Sequence, residues 1–482
     1  MNITDLYHQH SKDRPEHPAI VTDRTTISYR EWNELVRRTS ASFAREPGVH
    51  RRVAIFLPNG HLFLQVFAGA SRAGWSSIIG DVRWKQQEME VRLSETEPDL
   101  IIAERSKKGM FENLSAKLIC AEDLSRWSEY HEETPPQTDG EDPFYIGFTS
   151  GSTGKPKAFI RSHKSWVETF RCSQQDLGIT QEDHILIPGS FVNSTFLYGA
   201  LSTLYIGGTV YILPNFSASR LVRALEEHPI SVIYTVPTMI QATIDERWSS
   251  SRRVTFMSTG AKLLPDVKRT MKERFPQAAI HEFYGASELS FVSLLKDDTP
   301  ATRNSSVGSP VHNVEVSIRK EDGTEAVPGE IGKLYVKSSM LFNGYLKNEE
   351  ETRKVKTGEW ATVHDFAKMD EDGYVYIVGR SNDMIIYGGI NIYPQEIEET
   401  LKHVEGIDEV VVCGVKDSYW GEKVAACIRG SANIKELKSY ALSQLTAYKI
   451  PRIWKKVDSF PYTSGGKISR NEIRRWLEEE FE

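Results

Sequence analysis

The sequence has few cysteines. Four among 482 residues, Cys120, Cys172, Cys413 and Cys427, are widely spaced, and no pair has the spacing of a metal site or a redox motif. They read as buried free thiols in a reducing compartment, not as a disulfide scaffold. Long apolar runs are also missing. The richest stretch, Gly199 to Leu213, is broken by Ser202, Thr203 and Gly207-Gly208, and is too short and mixed to span a bilayer. The first residues, MNITDLYHQHSKDRPEHPAI, lack a basic start followed by an apolar segment, so no secretory signal and a cytoplasmic location are expected. There is no excess of positive charge. Lys plus Arg is 59 against 66 for Asp plus Glu, a net of −7, which argues against nucleic acid or an anionic membrane as the main partner. A phosphate-bearing ligand would need a local site. No repeat of fixed period is present.

What remains is the balance of a globular protein, 39% hydrophobic and 26% charged, in a chain long enough for at least two domains. Short apolar runs (VAIFLP, DLIIAE, KLICAE, HILIP, TVYIL, SVIYTV) alternate with helical stretches, the pattern of a doubly wound α/β fold. Asn59-Gly60 turns VAIFLP into an amphipathic helix reaching about Ala73. After Ser306, VEVSIRKEDGTEAVPGEIGKLYVK reads as two strands joined by a polar turn, a small antiparallel unit. From about Asn382 the pattern is helix, strand, strand, helix, strand, helix, enough for a small α+β domain. HEETPPQTDGEDP, His131 to Pro143, reads as an acidic surface loop.

The strongest local signal is Thr149-Ser150-Gly151-Ser152-Thr153-Gly154-Lys155-Pro156-Lys157, which follows the strand FYIGF. Its glycines permit close backbone approach, its hydroxyls and amides can surround phosphate oxygens, and two lysines add charge. It is not a Walker A loop, because only two residues separate Gly151 from Gly154 and Pro156 follows Lys155. The alternative is a polar turn between strands, which nine residues so biased toward phosphate chemistry disfavour. Farther on stand Gly260-Ala261-Lys262 after VTFMSTG, Tyr284-Gly285-Ala286-Ser287-Glu288 after AAIHEF, and WATVHD from Trp360 to Asp365. Then come Gly379-Arg380-Ser381-Asn382-Asp383, Gly388-Gly389-Ile390, and PYTSGGKISR with Lys467. Each alone fits an ordinary turn or a solvated lysine.

In this order the motifs resemble those of the adenylate-forming superfamily, which includes acyl–CoA synthetases, the adenylation domains of peptide synthetases and firefly luciferase. The resemblance runs from about Tyr29 to Arg470. It implies a large N-terminal domain over 1–381 that binds ATP and the acid, with the small β unit, and a small mobile C-terminal domain over 382–482. It implies that Thr149 to Lys155 and Lys157 cradle phosphate, and that Gly260 and Ala261 line the adenine side. Tyr284 would stack on adenine, Ser287 bond the α-phosphate and Glu288 hold Mg²⁺, roles that suit an aromatic face, a hydroxyl and a carboxylate. Asp365 would accept the ribose hydroxyls and Arg380 contact ribose or phosphate. Asn382 falls at the hinge, Gly388-Gly389 at the pantetheine arm of CoA, and Lys467 at the adenylation lysine, with Ser287 and Glu288 beside it in the catalytic set. One departure stands out here. Val363-His364 replaces the usual Thr-Gly, and the bland reading of His364 is a loop histidine. Pro394, Glu396 and Glu398 read as an ordinary helix start.

The histidine common after the phosphate-loop strand in many acyl–CoA synthetases is missing from Ile187-Pro188-Gly189-Ser190-Phe191-Val192-Asn193. Phe191, Val192 and Phe196 fit either an apolar pocket or core, with core preferred for Phe196, and Tyr234 to Pro237 resemble a pocket wall. The expectation is an ATP-dependent acid–CoA ligase using Mg²⁺ and CoA, most like bacterial medium- or long-chain fatty acid–CoA ligases, as a monomer or homodimer. The alternatives are a stand-alone enzyme loading a carrier protein and a non-catalytic nucleotide-binding homologue.

Overall fold

The computed structural model describes every residue except 85, 130–137, 150–156, 247, 381–382, 388–389, 418–420, 446, 464–467 and 482; at 380, 386, 390, 391 and 481 it describes the main chain alone. The chain forms two compact units, 1–315 with 336–361, and 316–335 with 362–482.

The first unit has the expected doubly wound α/β architecture. One nine-stranded sheet carries, side by side and parallel, Thr209–Ile212, His184–Ile187, Val232–Thr235, Thr255–Ser258 and Ala279–Ala286. A seven-stranded sheet carries Lys117–Cys120, Leu100–Ala103, Arg52–Phe56, Ser76–Ile79 and Pro143–Thr149, all parallel, then Lys157–Ser162 and Gly344–Tyr345 antiparallel. The inner strands are short and continuously apolar because both faces are buried, as in Leu100–Ala103. Ile55, Ile79 and Phe144 from one sheet and Ile187, Val210 and Tyr234 from the other meet in one core. The apolar stretch 199–213 is divided between the helix Ser194–Ile206 and the strand Thr209–Ile212, and Gly207, at φ +102°, ends the helix. Among the described residues no helix is long and apolar enough to cross a membrane.

In the second unit Asp365–Met369 pairs antiparallel with Val375–Arg380. The C-terminal residues follow the expected succession: helix Pro394–Leu401, strands Ile407–Asp417 and Gly421–Gly430, helix Ile434–Gln444, strand Ile453–Lys456 and helix Arg470–Phe481. An additional pair of short strands, Ile385–Tyr387 and Ile390–Ile392, precedes them. Three-residue strands leave too little pattern to read in sequence. On Ile407–Asp417, Val410 and Val412 face the helices bearing Ile397 and Leu437, while Val411, Cys413 and Val415 face Ile473 and Leu477. That two-sided burial explains the unbroken run VVVCGV. By packing, the sheet at 365–380 groups with the C-terminal residues, whereas the sequence reading divides the chain at 382.

The thiols need one correction. Cys172, Cys413 and Cys427 are buried and free, and burial pushes them up to about 12, 12 and 11. Cys120 is free but half-buried, because it ends a strand at the sheet edge.

Candidate active site

The hairpin Pro143–Thr149 and Lys157–Ser162 flanks the phosphate-loop motif, and Thr149 pairs with Lys157 across it. The two ends of the motif are thus cross-strand neighbours. Ser150, Gly151, Ser152, Thr153, Gly154 and Lys155 lie outside the described residues. Lys157 is ion-paired with Glu351, and its ammonium sits 5.5 Å above the Tyr345 ring. Hydrogen bonds from Lys157 and then Lys354 hold the Glu351 carboxyl down at about 2.

Ser287 and Glu288 occupy the turn between Ala279–Ala286 and Ser290–Leu295. A bulge at Tyr284/Gly285 shapes it, and a Cβ at Gly285 would lie 2.1 Å from the Ser290 carbonyl oxygen, so no larger residue fits. Arg161, 2% exposed, donates from Nη1 to the Ser287 carbonyl at 2.9 Å and from Nη2 to the Met340 carbonyl at 2.6 Å. Its Nε donates to Ser165 Oγ at 3.2 Å. Burial lowers this guanidinium to about 10, and the Glu288 charge opposes the shift. No carboxylate among the described residues forms an ion pair with it. Glu288 is buried, and its Oε1 accepts from the Tyr345 hydroxyl at 2.7 Å. Burial first, then Glu288, pushes the Tyr345 phenol well above its ordinary range, so it remains a donor. No group among the described residues donates to Glu288 Oε2. One carboxylate oxygen left open, with phosphate oxygens and water completing the shell, is a donor set that fits Mg²⁺.

Gly260 and Ala261 are exposed on the loop after Thr255–Ser258, the parallel neighbour of the strand bearing Tyr284. Gly260 has φ +91°. The loop is stitched to that strand. Thr259 Oγ1 donates to the Phe283 carbonyl at 2.8 Å, and buried Glu282 accepts from Lys262 at 3.1 Å and from the Leu263 amide at 2.8 Å. Tyr284 is half-buried.

In the second unit Asp365 is buried, and its register partner on the neighbouring strand is Arg380, whose side chain lies outside the described residues. His364 has φ +64°, the left-handed region that glycine enters freely, and its amide donates to Thr362 Oγ1 at 3.1 Å. The glycine that the resemblance puts at this position would adopt the same turn without strain. Asn382, Gly388, Gly389 and Lys467 lie outside the described residues. The residues on either side of 464–467 are joined by the Tyr462–Ile468 bridge and by Ser469 N donating to the Pro461 carbonyl at 2.8 Å. Just beyond it Arg470 forms a two-point ion pair with Glu398, at 2.6 and 2.7 Å.

In the expected acyl region Phe191 and Phe196 are core, and a Cβ on Gly189 would lie 2.0 Å from the Phe196 ring. Asn193 caps the helix Ser194–Ile206, its Oδ1 accepting from Thr195 N at 3.0 Å. Asn59 fixes the segment, donating to the Gly189 carbonyl at 2.6 Å and accepting from Phe191 N at 3.0 Å.

The structure therefore gathers Lys157, Ser287 and Glu288 around Tyr345 and Arg161, joins Gly260 and Ala261 to the Tyr284 strand, and sets the main chains of Asp365 and Arg380 in register. Sequence reading missed Arg161, Tyr345 and Glu351. Arg161 carried a signal, a lone charge inside the strand KAFIRS. Tyr345 and Glu351 carried none, because their partners are remote in sequence.

The model of the AMP-binding enzyme family matches residues 7–346, and that of the AMP-binding enzyme C-terminal domain matches 396–467. The chain is 42% identical over 480 residues, 99% of either protein, to the acyl–CoA ligase YhfT of Bacillus subtilis, described as uncharacterized. It is 34% identical over 352 residues, 72% of this chain and 73% of the other, to VraA of Staphylococcus epidermidis, a candidate long chain fatty acid–CoA ligase. A 2-succinylbenzoate–CoA ligase of a Geobacillus species is 26% identical over 96% of this chain and 95% of its own. Among solved structures, ATP-bound MatB of Rhodopseudomonas palustris superposes with a TM-score of 0.91 at 25% identity over the whole of both chains. The chain belongs to the AMP-binding enzymes of the adenylate-forming superfamily.

Proposed function

We propose that the chain is an ATP-dependent acid–CoA ligase acting on a medium- or long-chain fatty acid. Acyl–CoA ligase chemistry has the support of the family and of the full-length relative named for it. The fatty acid is supported by the VraA relative and by the absence of a cationic group clearly placed in the expected acyl segment. In the first half-reaction a substrate carboxylate oxygen bonds the α-phosphorus of ATP, and pyrophosphate leaves with the electron pair of the broken bond. Negative charge grows on the phosphoryl oxygens. Ser287 donates to them, while Lys157 and the phosphate loop hold the departing oxygens. The resemblance assigns Lys467 to this step and Asp365 and Arg380 to the ribose. Mg²⁺, when bound, neutralises phosphate charge, and Glu288 is the residue that would hold it. In the second half-reaction the CoA thiol attacks the acyl carbonyl, loses its proton and expels AMP.

The observation that carries this reading is the convergence of Lys157, Ser287 and Glu288 on Tyr345 and a buried arginine that lacks a carboxylate partner among the described residues. A pyrophosphate-release screen over straight-chain acids of graded length, with CoA and with acyl-carrier protein, tests it. Acid-dependent release peaking at medium or long chains, with CoA thioester as product, is expected. Release with 2-succinylbenzoate alone would overturn the fatty acid, and product formed only on carrier protein would overturn the CoA acceptor.

A further inference from the structure

We propose that Tyr345 is a positioning residue that couples the metal carboxylate to the phosphate-loop lysine, a role that rests on the site reading given above. The Tyr345 side chain touches both. Its hydroxyl donates to Glu288 Oε1 at 2.7 Å, and its ring lies 5.5 Å beneath the Lys157 ammonium. These partners are remote in sequence, so the fold alone brings them together.

The residue is held on every side. The two-residue strand Gly344–Tyr345 pairs with Lys157–Ser162, setting Tyr345 opposite Phe159. The Tyr345 amide donates to Thr352 Oγ1 at 2.9 Å, and its ring meets Phe342 edge-on at 5.1 Å. Gly344, at φ +146°, lets the strand pass close to Thr352. The helix Glu349–Val355 is capped by Asn348, whose Oδ1 accepts from Glu351 N at 3.1 Å, and this fixes Glu351 against Lys157. Tyr345 is 8% exposed, so water does not compete well for its hydroxyl.

Two consequences follow. With Oε1 committed to the Tyr345 hydroxyl, Oε2, which accepts from no group among the described residues, is the oxygen available to a cation. The ring gives Lys157 a polarisable seat that lets it leave Glu351 for phosphate without losing its place. Tyr345 thus acts on Glu288 through its hydroxyl and on Lys157 through its ring, and the two can be separated.

Calorimetric titration of ATP into the full chain, with Mg²⁺ and with EDTA, makes that separation. Tyr345→Phe keeps the ring and removes the hydroxyl. It is expected to weaken ATP binding roughly tenfold with Mg²⁺, the size of one hydrogen bond to a charged group, and to leave the EDTA value within about twofold. Glu351→Gln releases Lys157 from its partner and is expected to shift both values by the same factor, because Lys157 acts on phosphate charge with or without metal. Equal weakening by Tyr345→Phe in both conditions, which a folding defect would also produce, overturns the coupling role, as does no change in either. The site reading fails differently: wild-type chain would not bind ATP, or Glu288→Gln would keep the wild-type Mg²⁺ dependence.

Discussion

Two buried or half-buried guanidiniums anchor the two units in opposite ways. Arg161, nearly solvent-free, is held by the carbonyls of Ser287 and Met340 and by Ser165, and burial lowers it to about 10. Arg470 is half-buried yet carries a two-point pair with Glu398 and also donates to the Val412 carbonyl at 2.6 Å. Its nearby carboxylates overcome the opposing effect of burial and push it above the ordinary arginine range. The more deeply buried cation is the one with no carboxylate in ion-pair contact among the described residues. Neutralising Arg470 makes it a clamp that ties the helix Pro394–Leu401 to the strand Ile407–Asp417, as the Val412 amide also bonds Glu398 at 2.6 Å. Arg161, held by carbonyls and by a carboxylate outside ion-pair range, keeps positive potential behind Ser287 and Glu288, which the proposed function uses toward an anionic ligand.

The sharpest way to break this contrast is Arg161→Met, which removes the charge and keeps most of the volume. It is expected to slow acid-dependent pyrophosphate exchange roughly 100-fold through lost electrostatic support. Its unfolding free energy should fall by only about 1 to 2 kcal/mol, the cost of two carbonyls losing their donors. Glu398→Ala should do the reverse kind of damage. Stranding Arg470 is expected to cost about 2 to 3 kcal/mol in urea unfolding, below the full buried-pair penalty because Arg470 keeps some solvent. The double change Glu398→Leu with Arg470→Met should recover most of that loss.

His163 sharpens the contrast within one unit. Two residues from Arg161 and buried against Phe144 at 4.8 Å, it is pushed down to about 3 by desolvation. Burial thus keeps the histidine neutral down to acidic pH and leaves the arginine charged. The folded chain binds fewer protons here than the unfolded chain between pH 6.5 and 3, so stability is full above the unfolded value and falls as pH drops below it. Between pH 7 and pH 5 His163→Phe should lose about 2 kcal/mol less than wild type in urea unfolding. The smallest effect is expected at His364→Gly. Relieving a left-handed histidine should raise stability by about 0.5 to 1 kcal/mol, read as a small rise in Tm.

Legibility followed contiguity. The motifs at 149–157 and 284–288 and the alternation of strands and helices are written in adjacent residues, so the α/β fold could be read and candidates for the site named from sequence. Arg161 reaches Ser287 across 126 residues and Tyr345 reaches Glu288 across 57, and no local pattern encodes such contacts. Glu398 looked like any acid in a first helical turn; only the fold turns it inward onto Arg470. Phe191 and Phe196 were ambiguous because core and pocket share one chemistry, and tertiary packing assigned both to the core.

The most direct test of the central claim is ATP–pyrophosphate exchange by the full chain with saturating fatty acid and Mg²⁺, compared with the same mixture lacking acid. Exchange that requires the acid and falls roughly 100-fold in Arg161→Met is the predicted result. Exchange absent with every carboxylic acid, in a chain that binds ATP, would contradict it.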